Sequence, residues 1–381
     1  MKKLPLGIST FSEIIEENYI YVDKTQTIYE MINQGKTYFL SRPRRFGKSL
    51  LVSTLEEIFS GNKEYFKDLY IYDKWDWNEK HPIIQIDFGK IAYETPETLK
   101  LSLEDDIIEI ADENNITLKK KFLNPKFSEL IKKLHDKTGK KVVVLIDEYD
   151  MAIIDCIKSM KIAKQNLDIL SDFYKVLKAS DKYLKFIFLT GVSKLGEIGD
   201  FAGLANLRFA KFSKTSIFSG LNNITDITLN SKYSMICGYS QEELENSFKE
   251  YIDEFAKANN ISGEILLSEI KNWYDGYSWD GENHLYNPYS ILSLFNDGEF
   301  GNYWFETGTP SFLMEYIKNN DKKVGILFKP TTRIFGTIPS FNLEKIDFTT
   351  LLLQTGYLTI KRKEVKFAKL SKYDLVIPIK K

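Results

Sequence analysis

Cysteine and histidine are scarce in this chain. Cys156 and Cys237 are the two cysteines, too few for a disulfide framework or a cysteine zinc site. They read as two free thiols in a reducing cytoplasm. His81, His135 and His284 lie far apart without ligand spacing, which excludes a histidine metal cluster and a His-based triad. No run of 18 apolar residues exists, so no membrane-spanning segment is expected. The apolar stretch after Met1-Lys2-Lys3 ends too soon, at Glu13, Glu16 and Glu17, to be a signal peptide. The expected location is the cytoplasm. A charge excess is absent too. Lys+Arg 52 against Asp+Glu 53 leaves −1, which excludes a bulk polycation and an acidic tail. Any nucleic-acid contact must come from a local patch. There is no repeat, low-complexity tract or Pro/Ser linker, so successive parts of the chain are expected to pack on each other.

What is present is apolar and patterned. The 381 residues, 43% hydrophobic and 14% aromatic, suit two domains with a large core and exclude global disorder. Tyr19-Ile20-Tyr21-Val22 reads as a short strand. Lys24 to Gln34 reads as a helix closed by Gly35. Strand-type runs follow at Thr37–Leu40, Ile83–Phe88, Val142–Ile146 and Leu184–Leu189. Helical stretches lie at Lys48–Phe59, Thr95–Glu113 and Lys164–Ala179. Buried-type strands alternating with helices predict a parallel α/β sheet. The aromatics of residues 60–80 read as core packing, with a base-stacking platform as the alternative. After residue 225 the texture changes. Helices are expected at Glu242–Ala258, Glu264–Tyr274 and Ser311–Asn319, with a turn at Asn287-Pro288-Tyr289 leading into Ser290–Phe295. The last 40 residues look strand-rich, with a turn at Thr355-Gly356-Tyr357.

The strongest chemical signal is Arg42-Pro43-Arg44-Arg45-Phe46-Gly47-Lys48-Ser49. It follows the phosphate-loop pattern G-x-x-x-x-G-K-[ST], with Arg42 in place of the first glycine. A loop between a strand and a helix N-terminus offers backbone N–H groups and a dipole to phosphate. Gly47 lets the backbone approach, Lys48 would pair with the β- and γ-phosphates, and Ser49 would sit on Mg²⁺. The candidate binding set is Arg42 to Leu50. The second signal is the apolar run Val142–Ile146 ending at Asp147-Glu148. Asp147 would hold the metal and Glu148 would take a proton from the attacking water. Thr190, at the end of the next strand, could orient that water or read the γ-phosphate. A capped strand end is its structural alternative. Of the 52 basic residues only six are arginine, and Arg42, Arg44 and Arg45 are half of those. Guanidinium chemistry is therefore concentrated at the loop: on phosphates, on acids that shape the loop, or on a partner.

These motifs resemble those of the AAA-ATPase-like proteins, many of which carry a C-terminal nuclease domain of the PD-(D/E)XK type. The resemblance runs through Leu4-Pro5-Leu6-Gly7-Ile8-Ser9, Glu17 to Thr25, the variant loop at 42–49 and Leu145-Ile146-Asp147-Glu148-Tyr149-Asp150. It continues through Leu189 to Lys194, Ser216 to Asn223, Trp273 to Tyr277, Tyr286 to Ser290, Tyr303 to Gly308 and Leu353 to Tyr357. It implies a P-loop ATPase domain over residues 1–225 and a mostly helical C-terminal region over 226–381, with a winged helix as one option. It also implies ATP as the nucleotide. Phe11 and Tyr19 are candidates to flank the base, with core packing as their alternative.

Two departures stand out. Residues 195–210, with Gly196, Gly199 and Gly203, look like an inserted loop near the γ-phosphate side. Arg208 within it is a candidate arginine finger, against the reading of a surface arginine. The chain also ends about where the nuclease domain would begin. Spacings such as Asp347 with Glu364-Val365-Lys366, or Glu269-Ile270-Lys271, are expected by chance in a chain this rich in Glu and Lys. The chain is therefore not expected to cut DNA by itself. The functional expectation is a Mg²⁺-dependent ATPase that acts as a switch on a nuclease or other protein partner. A non-hydrolysing nucleotide-dependent module is the alternative. A DNA-binding role through Lys361-Arg362-Lys363, Lys366, Lys369 and Lys372 is a third.

Overall fold

Residues that alternate along the apolar runs divide between two cores. Phe39, Val144, Ile146, Ile187 and Leu189 bury into one hydrophobic cluster. Their chain neighbours Tyr38, Leu40, Val143, Leu145, Phe186 and Phe188 bury into another. A strand apolar on both faces needs a cover on each, and the chain supplies helices between strands to provide it. The computed structural model describes residues 1–194, 223–308, 331–335, 348–365 and 371–378.

Strands β1 (Thr37–Ser41), β2 (Ile83–Asp87), β3 (Val142–Asp147), β4 (Leu184–Gly191) and β5 (Thr225–Asp226) form one sheet in the order β2-β3-β4-β1-β5. All of its pairings are parallel. One face is covered by α1 (Phe11–Glu16), α2 (Thr25–Gln34) and α3 (Lys48–Ser60), together with Phe66 and Trp77. Of the aromatics of residues 60–80, Phe66 and Trp77 thus serve the core and Tyr65, Tyr72 and Trp75 pack against it, as expected, while Tyr70 is exposed. The other face is covered by α4 (Pro96–Glu113), α5 (Leu123–Thr138) and α7 (Met160–Ala179); the short α6 (Met151–Ile154) follows β3. Each fully buried Leu, Ile or Phe here is worth about 1.5–3 kcal/mol over exposure.

One local expectation changes, one holds in detail, and one helix is new. Residues 19–22 form no strand; Tyr19 makes a lone bridge with Lys3, while Ile20 and Val22 bury among C-terminal helices. Gly35 closes α2 as expected, with an extended backbone (φ −164°). Glycine is required there because a Cβ would collide with the Tyr38 hydroxyl. Helix α5 was not anticipated, although Phe127, Leu130, Ile131 and Leu134 repeat at helical spacing and all bury.

Beyond the sheet come α8 (Gln241–Ser247), α9 (Lys249–Ala258), α10 (Gly263–Tyr274), α11 (Pro288–Asp297) and α12 (Tyr303–Gly308). The expected helix at 242–258 divides at Phe248, which leaves helical geometry (φ −114°, ψ 18°) and is fully buried among α9 and α11 residues. The Ser240/Glu243 capping box starts α8. A hairpin of β6 (Asp275–Tyr277) and β7 (Leu285–Tyr286) lies between α10 and α11. Strands β8 (Thr331–Phe335), β9 (Thr359–Val365) and β10 (Ser371–Val376) form an antiparallel sheet ordered β8-β10-β9, with α13 (Phe348–Thr355) between β8 and β9. The C-terminal region thus combines helices with small antiparallel sheets. Leu351, Leu352, Ile360, Tyr373 and Leu375 share a cluster with Phe39 of the parallel sheet. The expected helix at 311–319 lies outside the described residues. Among the described residues, no helix is long and apolar enough to cross a membrane.

Candidate nucleotide-binding site

Strand β1 feeds residues 42–47, and α3 begins at Lys48. Gly47 caps α3 at φ 89°, in the left-handed region. A Cβ there would meet nothing within 4 Å, so backbone conformation and not space demands glycine. β1 and β3 both pair in parallel with the β4 strand between them, so the loop after β1 and the acid pair at the end of β3 lie at the same, C-terminal edge of the sheet. Burial pushes the Asp147 carboxyl up, and a hydrogen bond from Ser49 with the charge of Lys48 acts against that. The loop serine, the loop lysine and the strand acid therefore meet, as the motif spacing requires.

Lys48 is buried, and its Nζ donates to the Pro43 carbonyl at 3.1 Å. Burial lowers its pKa, while Asp147, Glu148 and Asp150 favour its charged form. Glu148 sits at φ 52°, and its backbone N–H donates to Asp147 Oδ1 at 2.9 Å. Burial also raises the Glu148 carboxyl; Lys48 and Arg44 oppose this and Asp147 and Asp87 add to it. Asp150 accepts from Ser193 N at 2.7 Å and Ser193 Oγ at 2.8 Å. That fixes the turn after β3 against the end of β4.

Asp87 is a site residue that the sequence reading missed. It stands opposite Asp147 in the β2–β3 register. A Cβ on Gly89 would lie 3.0 Å from Asp87 Oδ1 and 3.3 Å from Glu148 Oε2, so the two carboxylates flank that backbone. The signal was an acid at the C-terminal end of a second parallel strand.

Arg42 does not sit where a phosphate ligand would. It is fully buried. Its Nη1 donates to the Ser41 and Thr228 carbonyls, both at 2.9 Å, and its Nη2 to those of Tyr233 and Ser234 at 3.3 and 3.4 Å. Its backbone N–H is spent on the Gly191 carbonyl. The position that usually holds glycine is thus a structural guanidinium, with its pKa lowered by burial to about 10. The rest of the candidate set divides. Phe46 and Pro43 are buried, Ser49, Leu50 and Arg44 are half-buried, and Arg45 is exposed. Arg44 lies 3.8 Å from Asp155. The Thr190 hydroxyl donates to the Leu40 carbonyl at 2.9 Å. Its proton is therefore committed, and it can accept from a water but cannot donate to a phosphate oxygen. Residues 195–210, including Arg208, lie outside the described residues.

Two clefts flank the loop. One of about 330 Å³ is lined by Arg44, Glu148, Asp150, Met151, Asp155 and Val192, among others. The other, about 500 Å³, is walled by Ile20, Tyr21, Val22, Gly47, Leu50 and Tyr239, among others. Phe11 instead belongs to the core, and Tyr19 lies under the Lys3 ammonium, so neither flanks this cleft. Among the described residues, no group of three or more His, Cys, Asp or Glu is arranged to hold a metal ion. The Ser49–Asp147 pair still suits a Mg²⁺ that keeps waters and phosphate oxygens as its other ligands, because it offers hard oxygen donors beside buried carboxylates.

Comparison with known proteins agrees with this geometry. A family model described as "Predicted AAA-ATPase" matches residues 5–199. A protein of Azotobacter chroococcum mcd 1, described as an uncharacterized protein in the vnfD 5' region, is 38% identical over 360 residues. The alignment covers 94% of this chain and 64% of that protein. The loop–acid geometry at the sheet edge and the match across residues 5–199 lead to one conclusion: the chain belongs to the predicted AAA-ATPase family.

Proposed function

We propose that the protein binds ATP with Mg²⁺ and hydrolyses it, and that its nucleotide state controls a protein partner such as a nuclease. The observation that carries this reading is the meeting of Ser49, Lys48 and Asp147 at one sheet edge. The cleft beside Gly47 has apolar walls that suit a base.

Each residue has a task. Lys48 exchanges its bond to the Pro43 carbonyl for phosphate oxygens, where its charge offsets theirs. The backbone at Gly47 and the first turn of α3 present N–H groups to phosphate. Ser49 and Asp147 would hold Mg²⁺, which neutralises charge on the phosphates when bound. Glu148 takes a proton from the attacking water, and the Thr190 oxygen accepts from that water to hold its orientation. Burial keeps the Glu148 carboxylate more basic than usual, which helps proton abstraction.

Equilibrium binding of ATP and phosphate release by purified protein test this. Wild type is expected to bind ATP and release phosphate with Mg²⁺, and Lys48→Ala to lose both. Tight ATP binding by a folded Lys48→Ala protein would overturn the assignment. Binding by wild type without phosphate release above a Glu148→Gln control would favour the non-hydrolysing module.

A further inference from the structure

The motif residues do not explain what holds the variant loop in shape. Every residue from Arg42 to Phe46 is gripped by the C-terminal region. The Arg42 guanidinium lies 4.1 Å from the centre of the Trp279 ring. Pro43 fits under Gly356 so closely that a Cβ there would approach it to 2.8 Å and the Trp304 ring to 3.0 Å. The Arg44 carbonyl accepts from Trp304 Nε1 at 3.2 Å. Arg45, at φ 66°, stacks 4.9 Å from the centre of the Tyr289 ring. Phe46 meets Tyr277 and Trp279 edge to face at 4.8 and 5.0 Å.

We infer that this aromatic collar is a positioning element for the phosphate loop and the route by which nucleotide occupancy reaches the C-terminal region. The inference rests on the nucleotide reading above. A usual phosphate loop gains freedom from its first glycine. Here that residue is an arginine bonded to the carbonyls of Thr228, Tyr233 and Ser234, and a second loop residue, Arg45, holds a left-handed backbone. Such a conformation persists only where its surroundings enforce it. The loop therefore cannot close on a phosphate without shifting Trp279, Trp304 and Tyr289. By linkage, whatever moves those rings changes nucleotide affinity, and nucleotide shifts those rings in return. Tyr277 and Trp279 lie on and beside the β6–β7 hairpin, Tyr289 in α11 and Trp304 in α12. The signal thus enters the C-terminal region at three elements.

The test uses the full chain, Mg²⁺-ATP, equilibrium dialysis and tryptophan emission. Trp304→Phe keeps an aromatic ring, smaller than the indole, and removes the donor to the Arg44 carbonyl. It is expected to weaken ATP binding about fivefold, the worth of one hydrogen bond, and to lower the melting temperature because a buried indole is cut back. Tyr289→Leu, at a half-buried position, is expected to weaken binding about two- to threefold and decides the matter should Trp304→Phe fail to fold. ATP should change tryptophan emission in wild type and not in the Trp279→Phe/Trp304→Phe double variant. Binding by both single variants at wild-type affinity, or an emission change that survives in the double variant, overturns the inference while leaving the nucleotide reading intact. No ATP binding by wild type removes both.

Discussion

The two sides of the phosphate loop differ in kind. One side meets ionisable groups: Asp147, Glu148 and Asp150 around Lys48, with Asp87 acting on Glu148. The other meets rings: Trp279, Trp304, Tyr277 and Tyr289. The acid side holds charges that burial disfavours, the arrangement on which the proposed reaction draws. On the aromatic side the buried Arg42 guanidinium meets four carbonyls and a ring face through its terminal nitrogens, while its Nε has no hydrogen-bond partner. The contrast separates chemistry from support. A substitution on the acid side should change turnover, and one on the aromatic side should change stability or affinity.

The largest effect should come from Glu148→Gln. Removing the proton acceptor is expected to lower phosphate release by about 10²–10⁴-fold while ATP binding persists; equal loss of binding would break the division. Arg42→Gly comes next. It restores the glycine of the usual loop pattern, yet it strips the Thr228, Tyr233 and Ser234 carbonyls of their buried donor. The expected cost is about 3 kcal/mol of stability, read by chemical denaturation. A neutral or stabilising result would show that the guanidinium is dispensable to the fold.

The pH dependence of phosphate release sharpens the same contrast. Burial raises the Asp147 and Glu148 carboxyls, and the proposed mechanism needs both ionised. Activity should therefore fall on the acid side with a midpoint above the usual carboxylate value of about 4. The smallest effect concerns a raised carboxylate outside both groups. Asp106 on α4 is pushed up to about 6, first by burial and then by Glu109, and its Oδ2 has no hydrogen-bond partner. A raised pKa means the fold prefers the protonated form. That stability is fully present below about pH 4 and is lost as pH rises through about 6. Asp106→Asn should melt about 1–3 °C higher than wild type at pH 8 and equal it near pH 4, with phosphate release unchanged.

The acid side was legible because its signals are local. An apolar run ending in two acids, and Gly47-Lys48-Ser49 at a helix start, each occupy a few consecutive residues. A parallel strand delivers its last side chains to one sheet edge, so chain position there implies spatial position. Asp87 went unread because only the β2–β3 register brings it beside Asp147. Arg42 was misread because its environment comes from residues 228–234 and 279. The residues at 19–22 alternate like a strand but find helices rather than a sheet edge to cover them.

The amino-acid order alone determined the parallel α/β core, the loop and the acid pair. Periodicity and short motifs act over one element, where side-chain direction follows from backbone geometry. Only the folded chain decided that the loop's first residue serves the interior, that its hydroxyl-bearing neighbour Thr190 gives its proton to β1, and that Trp279 and Trp304 bear on the loop. Those contacts join segments 150 to 260 residues apart. Which aromatic meets which loop atom depends on how α11, α12 and the β6–β7 hairpin settle against the sheet, and no local pattern carries that information.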